Sequence, residues 1–198
     1  SSTSIYATKI ICGDCGSYFG AKVWHSNSKY RRVIYQCNSK FKGSHFCTTP
    51  HLYEPEIQEK FLQAFAQYFS QKDAVIKNCQ FALTRLKKQE SKKAELQDEL
   101  VAVNEKLKDY IQHGGENFDA LNAKYEELSA KLDAEETAES DRKRRIAKMQ
   151  KILLMLKKTD SVLETFDESV WNAVLENLTV FHDGSLVFLF RDGTEIKV

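Results

Sequence analysis

Two prolines in 198 residues leave little to interrupt long helices. No run of eighteen apolar residues occurs, so no membrane span is expected. No basic stretch followed by an apolar one opens the chain, so no secretory leader is expected either. The polar start at Ser1 reads as a piece of something longer. Acidic residues are nearly missing from the first fifty-three positions, where Asp14 stands alone against Lys9, Lys22, Lys29, Arg31, Arg32, Lys40 and Lys42. This segment carries +6 in a chain of net charge +1, with His25, His45 and His51 besides. Such a basic module beside a slightly acidic remainder implies a polyanionic partner. No catalytic constellation is present: Ser, His and Asp occur, but no pattern gathers them.

The middle of the chain, roughly Val75 to Leu156, holds two arms that fold back at His113-Gly114-Gly115. Leu96, Leu100, Val103, Leu107 and Tyr110 step by four and three, as a heptad seam does. Phe118, Leu121, Tyr125, Leu128 and Leu132 give the complementary steps. One antiparallel register pairs Tyr110 with Phe118, Leu107 with Leu121, Val103 with Tyr125, Leu100 with Leu128 and Leu96 with Leu132. Extended toward the base, it sets Lys93 against Glu135 and Leu86 against Arg142, then Ala82 against Ile146, Cys79 against Met149 and Val75 against Leu153. The middle of the seam is polar, which fixes register at a cost in stability; a soft segment is expected around Lys93 and Glu135. From Leu86 to Tyr110 the arms reach on the order of 35 Å. A projecting hairpin fits better than a globular bundle, because each arm has only a two-in-seven apolar stripe.

The flanks read as one α+β domain interrupted by this insertion. Ile5 to Tyr35 suggests short strands, with Lys22–His25 and Tyr30–Tyr35 forming a hairpin around Ser26-Asn27-Ser28. Pro55 suits the first turn of a helix whose apolar face is Ile57, Phe61, Leu62, Phe65, Tyr68 and Phe69. Later, Thr165-Phe166-Asp167-Glu168 fits a capping box. It opens a helix carrying Val170, Trp171, Val174, Leu175 and Leu178. Thr179–His182, Leu186–Phe190 and Glu195–Val198, separated by Asp-Gly turns, form an antiparallel meander. A module of about 60 residues has too little core of its own, so the C-terminal elements are expected to return and complete it. The expected division is 1–74, N-terminal strands and first helix; 75–156, coiled-coil insertion with its tip at 111–117; and 157–198, C-terminal helix and strands that complete the first part.

Four of the five cysteines, Cys12, Cys15, Cys37 and Cys47, read as C-x2-C followed by C-x9-C. A C-x2-C on a glycine-rich turn offers two thiolates to one metal, and a later pair completes a tetrahedron. A structural Zn2+ is expected. A disulfide suits an exported chain, and a redox C-x2-C needs a βαβ context that is missing. His45 or His51 is the alternative to Cys47. Cys79 falls on the helical seam and is left out of the metal site.

Ile11-Cys12-Gly13-Asp14-Cys15-Gly16, Tyr30-Arg31-Arg32-Val33-Ile34-Tyr35-Gln36-Cys37 and Cys47-Thr48-Thr49-Pro50-His51 together resemble the recombinase zinc β-ribbon of large serine recombinases, the phage-type serine integrases. The likeness extends through the hairpin to Phe188-Leu189-Phe190-Arg191-Asp192-Gly193. It implies a zinc β-ribbon domain with flanking helices and a C-terminal β-meander, carrying an antiparallel coiled-coil hairpin. It also implies DNA integration or excision by a parent enzyme whose serine nucleophile lies in an N-terminal domain that this chain lacks. The implied partners are a double-stranded DNA attachment site, other DNA-bound copies through their coiled coils, and a recombination directionality factor. The implied setting is the bacterial cytoplasm, on DNA.

A two-stranded ribbon can enter a major groove. The candidate DNA-contacting residues are Arg31 and Arg32, then Lys29 and Lys22, with His25 and Tyr30. Trp24 and Tyr30 packing on the core is the competing reading. Lys40 and Lys42 are phosphate contacts at best. Arg142-Lys143-Arg144-Arg145 is either a solvated helix face or a backbone contact. At the tip, Tyr110, Ile111, His113 and Phe118 either contact protein or seal the seam. The other class of function is a zinc-stabilised coiled-coil scaffold that binds protein and not DNA.

Overall fold

A computed structural model describes residues 4–42, 47–115 and 117–198. The chain divides into two compact units, Ser1–Gln80 with Lys148–Val198, and Phe81–Ala147.

In the first unit, β1 (Ile10–Cys12), β4 (Leu175–Val180), β5 (Leu186–Phe190) and β6 (Glu195–Lys197) form a sheet in the order β1-β4-β5-β6. β1 runs parallel to β4, with Ile10 opposite Leu178 and Cys12 opposite Val180, and the other neighbours are antiparallel. The two ends of the chain therefore share one sheet. A separate antiparallel pair joins β2 (Phe19–Trp24) to β3 (Arg32–Cys37). β2 begins and ends earlier than the strand expected at Lys22–His25, and β3 begins and ends later than the one expected at Tyr30–Tyr35. Turns closed by Ser28 N to His25 O (3.0 Å) and Arg31 N to Ser28 O (3.1 Å) draw Tyr30 and Arg31 out of the strand.

Helix α1 (Glu54–Ser70) has Pro55 in its first turn and acidic Glu54 and Glu56 at its positive end. It buries Ile57, Phe61, Ala64, Phe65 and Tyr68. Phe61 meets Phe188 at 6.1 Å between ring centroids, and Tyr68 stacks on Phe190 at 4.0 Å. Helix α5 (Glu168–Val174) is capped by Asp167, whose Oδ1 accepts from Ser169 N at 2.7 Å and Val170 N at 3.1 Å. Asp167 and not Thr165 is thus the cap. The helix stops at Val174, and Leu175 and Leu178 are fully buried strand residues pairing with β5 and β1.

Helices α2 (Lys72–Lys88) and α4 (Phe118–Lys158) enter both units. Val75, Cys79, Ile152 and Leu156 belong to the globular core, so the compact helical unit is shorter than 75–156.

Within the second unit, α3 (Lys93–His113) and the facing stretch of α4 meet antiparallel. Tyr110 touches Phe118 at 5.2 Å, and Lys93 Nζ pairs with Glu136 at 2.8 Å. The least exposed positions of α3 are 93, 96, 100, 103, 107 and 110. Those of α4 include 121, 125, 128, 132, 135, 139 and 142. The buried seam thus follows the heptad positions. The first arm is interrupted at 89–92, where Ser91 Oγ accepts from Lys93 N at 3.3 Å and Glu135 accepts from Lys92 N at 3.3 Å. The second arm runs unbroken past Glu135, through a stretch of strong helix formers.

Candidate metal centre and exposed basic ribbon

Two backbone turns bring the cysteines together. After β1, Gly16 N donates to Cys12 O at 2.8 Å, and Gly16 takes a φ of +73°, which glycine adopts without strain. After β3, Lys40 N donates to Cys37 O at 3.1 Å. Asp14 Oδ2 ties the segment bearing Cys47 to the first turn, accepting from Thr48 N at 3.1 Å and Thr48 Oγ1 at 3.2 Å. Buried Thr49 lies 3.4 Å from Cys12 Sγ through its hydroxyl, and its carbonyl accepts from Lys40 Nζ at 2.8 Å.

The sulfurs of Cys12, Cys15, Cys37 and Cys47 all lie within 4.8 Å of one another, and Cys15 Sγ is 3.5 Å from Cys37 Sγ. Four sulfurs around zinc at about 2.3 Å stand about 3.8 Å apart, so this cluster has the size the ion requires. A disulfide would need about 2.05 Å, and all the cysteines are free thiols. Without a cation the thiols compete for protons. The Ser17 hydroxyl, bonded to the Cys15 sulfur, brings that thiol down to about 6. Burial pushes Cys37 up, and hydrogen bonding with Cys15, then burial, pushes Cys47 up. Four adjacent thiolates need a dication to coexist, and the all-sulfur donor set suits zinc. His51 is occupied elsewhere, stacked on Trp24 at 4.7 Å with Nε2 3.2 Å from Tyr53 Oη. His45 lies outside the described residues.

Beyond the cysteines, residues 21–33 of the β2–β3 hairpin are all exposed. Lys22, His25, Lys29, Tyr30, Arg31 and Arg32 lie there together. Trp24 is partly covered by His51, but Tyr30 is 59% exposed and does not pack on the core. Lys29 Nζ lies 5.2 Å from the Tyr30 ring centre, and Lys22 Nζ donates to Asn38 Oδ1 at 3.3 Å. Among the described residues, none of these four basic side chains has a carboxylate within 4.0 Å.

At the other end of the sequence pattern, Tyr110 and Phe118 touch across the seam. Ile111 is 74% exposed, and His113 pairs with Asp109 at 2.9 Å. In the basic run of α4, Lys143 pairs with Glu139 and Arg144 with Asp141, so those two are explained by their own helix. A cluster that sequence reasoning missed joins Lys9, Lys148, Lys151, Arg191 and Glu176. Its members are too far apart in sequence to signal one another.

Two cysteine-bearing turns on a β-hairpin, with a cluster sized for zinc, define a four-cysteine zinc ribbon. Residues 5–66 match the family model described as the recombinase zinc beta ribbon domain, a segment that holds all four cysteines. A solved structure described as "Crystal Structure of a LSR-DNA Complex" shares 16% identity with the chain, at a TM-score of 0.42. The match covers 96% of this chain and 57% of that one, so the chain spans little more than half the length of that neighbour. No curated protein matches the sequence. Among the described residues, no helix is long and apolar enough to cross a membrane.

Proposed function

We propose that this chain is the C-terminal, DNA-binding part of a serine site-specific recombinase of the integrase type. The observation that carries the reading is the exposed β2–β3 ribbon, whose lysines and arginines have no carboxylate partner among the described residues and whose base is clamped by a metal-sized cysteine cluster. Cys12, Cys15, Cys37 and Cys47 hold a structural Zn2+, which fixes the ribbon and supplies no chemistry to strand exchange. Lys22, His25, Lys29, Tyr30, Arg31 and Arg32 meet an attachment half-site. Ser1–Gln80 with Lys148–Val198 act as the zinc domain, and Phe81–Ala147 as its coiled-coil insertion.

The test is binding of short duplexes across a salt series. Each phosphate contact contributes about 0.9 to the slope of log affinity against log salt. Replacing both Arg31 and Arg32 by Gln is expected to weaken binding and to lower the slope by up to about 1.8. A flat salt response of the unmodified chain favours the protein scaffold instead.

The hairpin has a different role in this reading. Between Ala94 and Ala134 it carries ten acidic residues against four basic ones, a charge that repels DNA. That leaves Tyr110, Ile111, His113 and Phe118 for protein contacts, between the coiled coils of DNA-bound copies and with a directionality factor. Replacing Tyr110 and Phe118 by Ser is expected to leave duplex affinity within twofold and to weaken association of DNA-bound copies, read by gel mobility at increasing protein concentration. Equal loss of both properties counts against a separate role in synapsis.

A further inference from the structure

Three cations, Lys9, Lys148 and Arg191, surround the Glu176 carboxylate in the globular unit, and Lys151 adds a fourth charge beside Lys9. Lys9 stands at the opposite end of β1 from Cys12; Lys148 and Lys151 lie on α4, Glu176 lies in β4, and Arg191 follows β5. Lys148 Nζ donates to both oxygens of Glu176, at 2.8 and 3.0 Å. Arg191 Nε lies 3.9 Å from the same carboxylate. The Leu175 carbonyl accepts from Lys9 Nζ at 2.7 Å and from Arg191 Nε at 3.2 Å. Lys151 is exposed and adds its charge to the field at Lys9.

The arrangement carries three more positive charges than negative ones. Among the described residues, no other carboxylate lies within 4.0 Å of these cations. Burial, then the charges of Arg191, Lys148 and Lys151, bring Lys9 down to about 8, with Glu176 alone opposing them. Burial disfavours the Glu176 anion, yet the Lys148 hydrogen bond and the surrounding cations hold it below the usual carboxylate range. An ion-pair network that served only the fold would balance its charges. Here Glu176 positions Lys148 and Arg191, and the excess charge remains for an external anion. Lysine ammoniums supply point charges, and the arginine supplies a planar fork suited to phosphate oxygens.

We infer that Lys9, Lys148, Lys151 and Arg191 form a binding site for a phosphate group of a duplex backbone, a second contact on the unit that carries the ribbon. This rests on the ribbon reading above for the source of the phosphate. Contacts of this kind set register on the duplex and carry no sequence information.

The experiment compares the full chain with the double variant Lys148→Gln, Lys151→Gln in duplex binding across a salt series. The expected slope falls by about 0.9, one phosphate contact, and Lys148→Arg with Lys151→Arg restores it. Glu176→Gln is expected to steepen the slope and tighten binding, which a purely structural network would not do. Lys151→Gln alone, at an exposed position, is expected to lower the slope in the same direction by less than about 0.9 and serves should the double variant not fold. An unchanged slope in these variants, with a reduced slope for the Arg31 and Arg32 pair, overturns the inference and leaves the ribbon reading standing. Should the unmodified chain bind no duplex, the ribbon reading fails. Titration with inorganic phosphate then decides the cluster by NMR: side-chain shifts at Lys9, Lys148, Lys151 and Arg191 support it, and their absence overturns it.

Discussion

Removing the metal, by chelation or by Cys37→Ser, is expected to unfold the β2–β3 ribbon while leaving the helices in place. Structural zinc sites of this kind contribute on the order of 10–16 kcal/mol. That is comparable to the roughly 5–15 kcal/mol that holds a whole domain. The outer half of the ribbon has almost no core: Lys22 to Val33 are all exposed, and over that stretch the strands pair only with each other. Phe61 packs ring against ring on Phe65, Trp171 and Phe188, contacts that need no metal and have their own source of stability. The two tryptophans separate the outcomes. Trp24 lies in the ribbon and Trp171 is fully buried in the aromatic core. Chelation should change Trp24 emission, measured in a Trp171→Phe chain, and leave far-UV helicity nearly unchanged. The purified chain should hold one zinc per molecule. A metal-free chain with an ordered ribbon, or one in which both tryptophans respond together, contradicts this account.

What could be read in the sequence follows a simple division. The cysteine cluster was legible because C-x2-C on a glycine turn leaves few other uses for two thiols, and the later pair then has an evident partner. The heptad seam was legible because its period is local. The same apolar residues could not say what they faced: Val75, Cys79, Ile152 and Leu156 continue the pattern but pack into the globular core. Leu175 and Leu178 carried a similar ambiguity. They extend the helical spacing of Val170, Trp171 and Val174, yet parallel pairing of β4 with β1 makes them strand residues. That pairing joins Ile10 to Leu178, and no local pattern can announce it. The same distance hid the Lys9 cluster, whose carboxylate and cations come from both ends of the chain. The polar seam was foreseen as soft, and the interruption falls on only one arm. Ser91 accepts from Lys93 N there, outside the helical pattern, whereas Thr137 opposite donates to Asp133 O one turn back and leaves its helix intact.

Trp171→Ala is expected to cost about 3–5 kcal/mol. The side chain is fully buried in edge-to-face contact with Phe61 at 5.0 Å and Tyr6 at 5.4 Å, and it lies 5.7 Å from Phe166. Its Nε1 donates to Ile5 O at 3.3 Å, so truncation leaves both a cavity and a carbonyl without its partner. By contrast, Ile111→Ala at a 74% exposed position should change stability by less than about 0.5 kcal/mol. Urea unfolding measures both. The consequence reaches the ribbon, because Trp171 fastens Ile5 and Tyr6 to α5, and Tyr6 in turn packs on Tyr35 of β3 at 5.1 Å. A Trp171→Ala chain should therefore keep its zinc and lose duplex affinity, since the ribbon's charges remain but its seating loosens. Trp171→Phe, which keeps most of the ring contact, should recover most of both stability and affinity. A loss of less than about 1 kcal/mol in Trp171→Ala would mean that the segment before β1 is held by its sheet pairing with β4 alone.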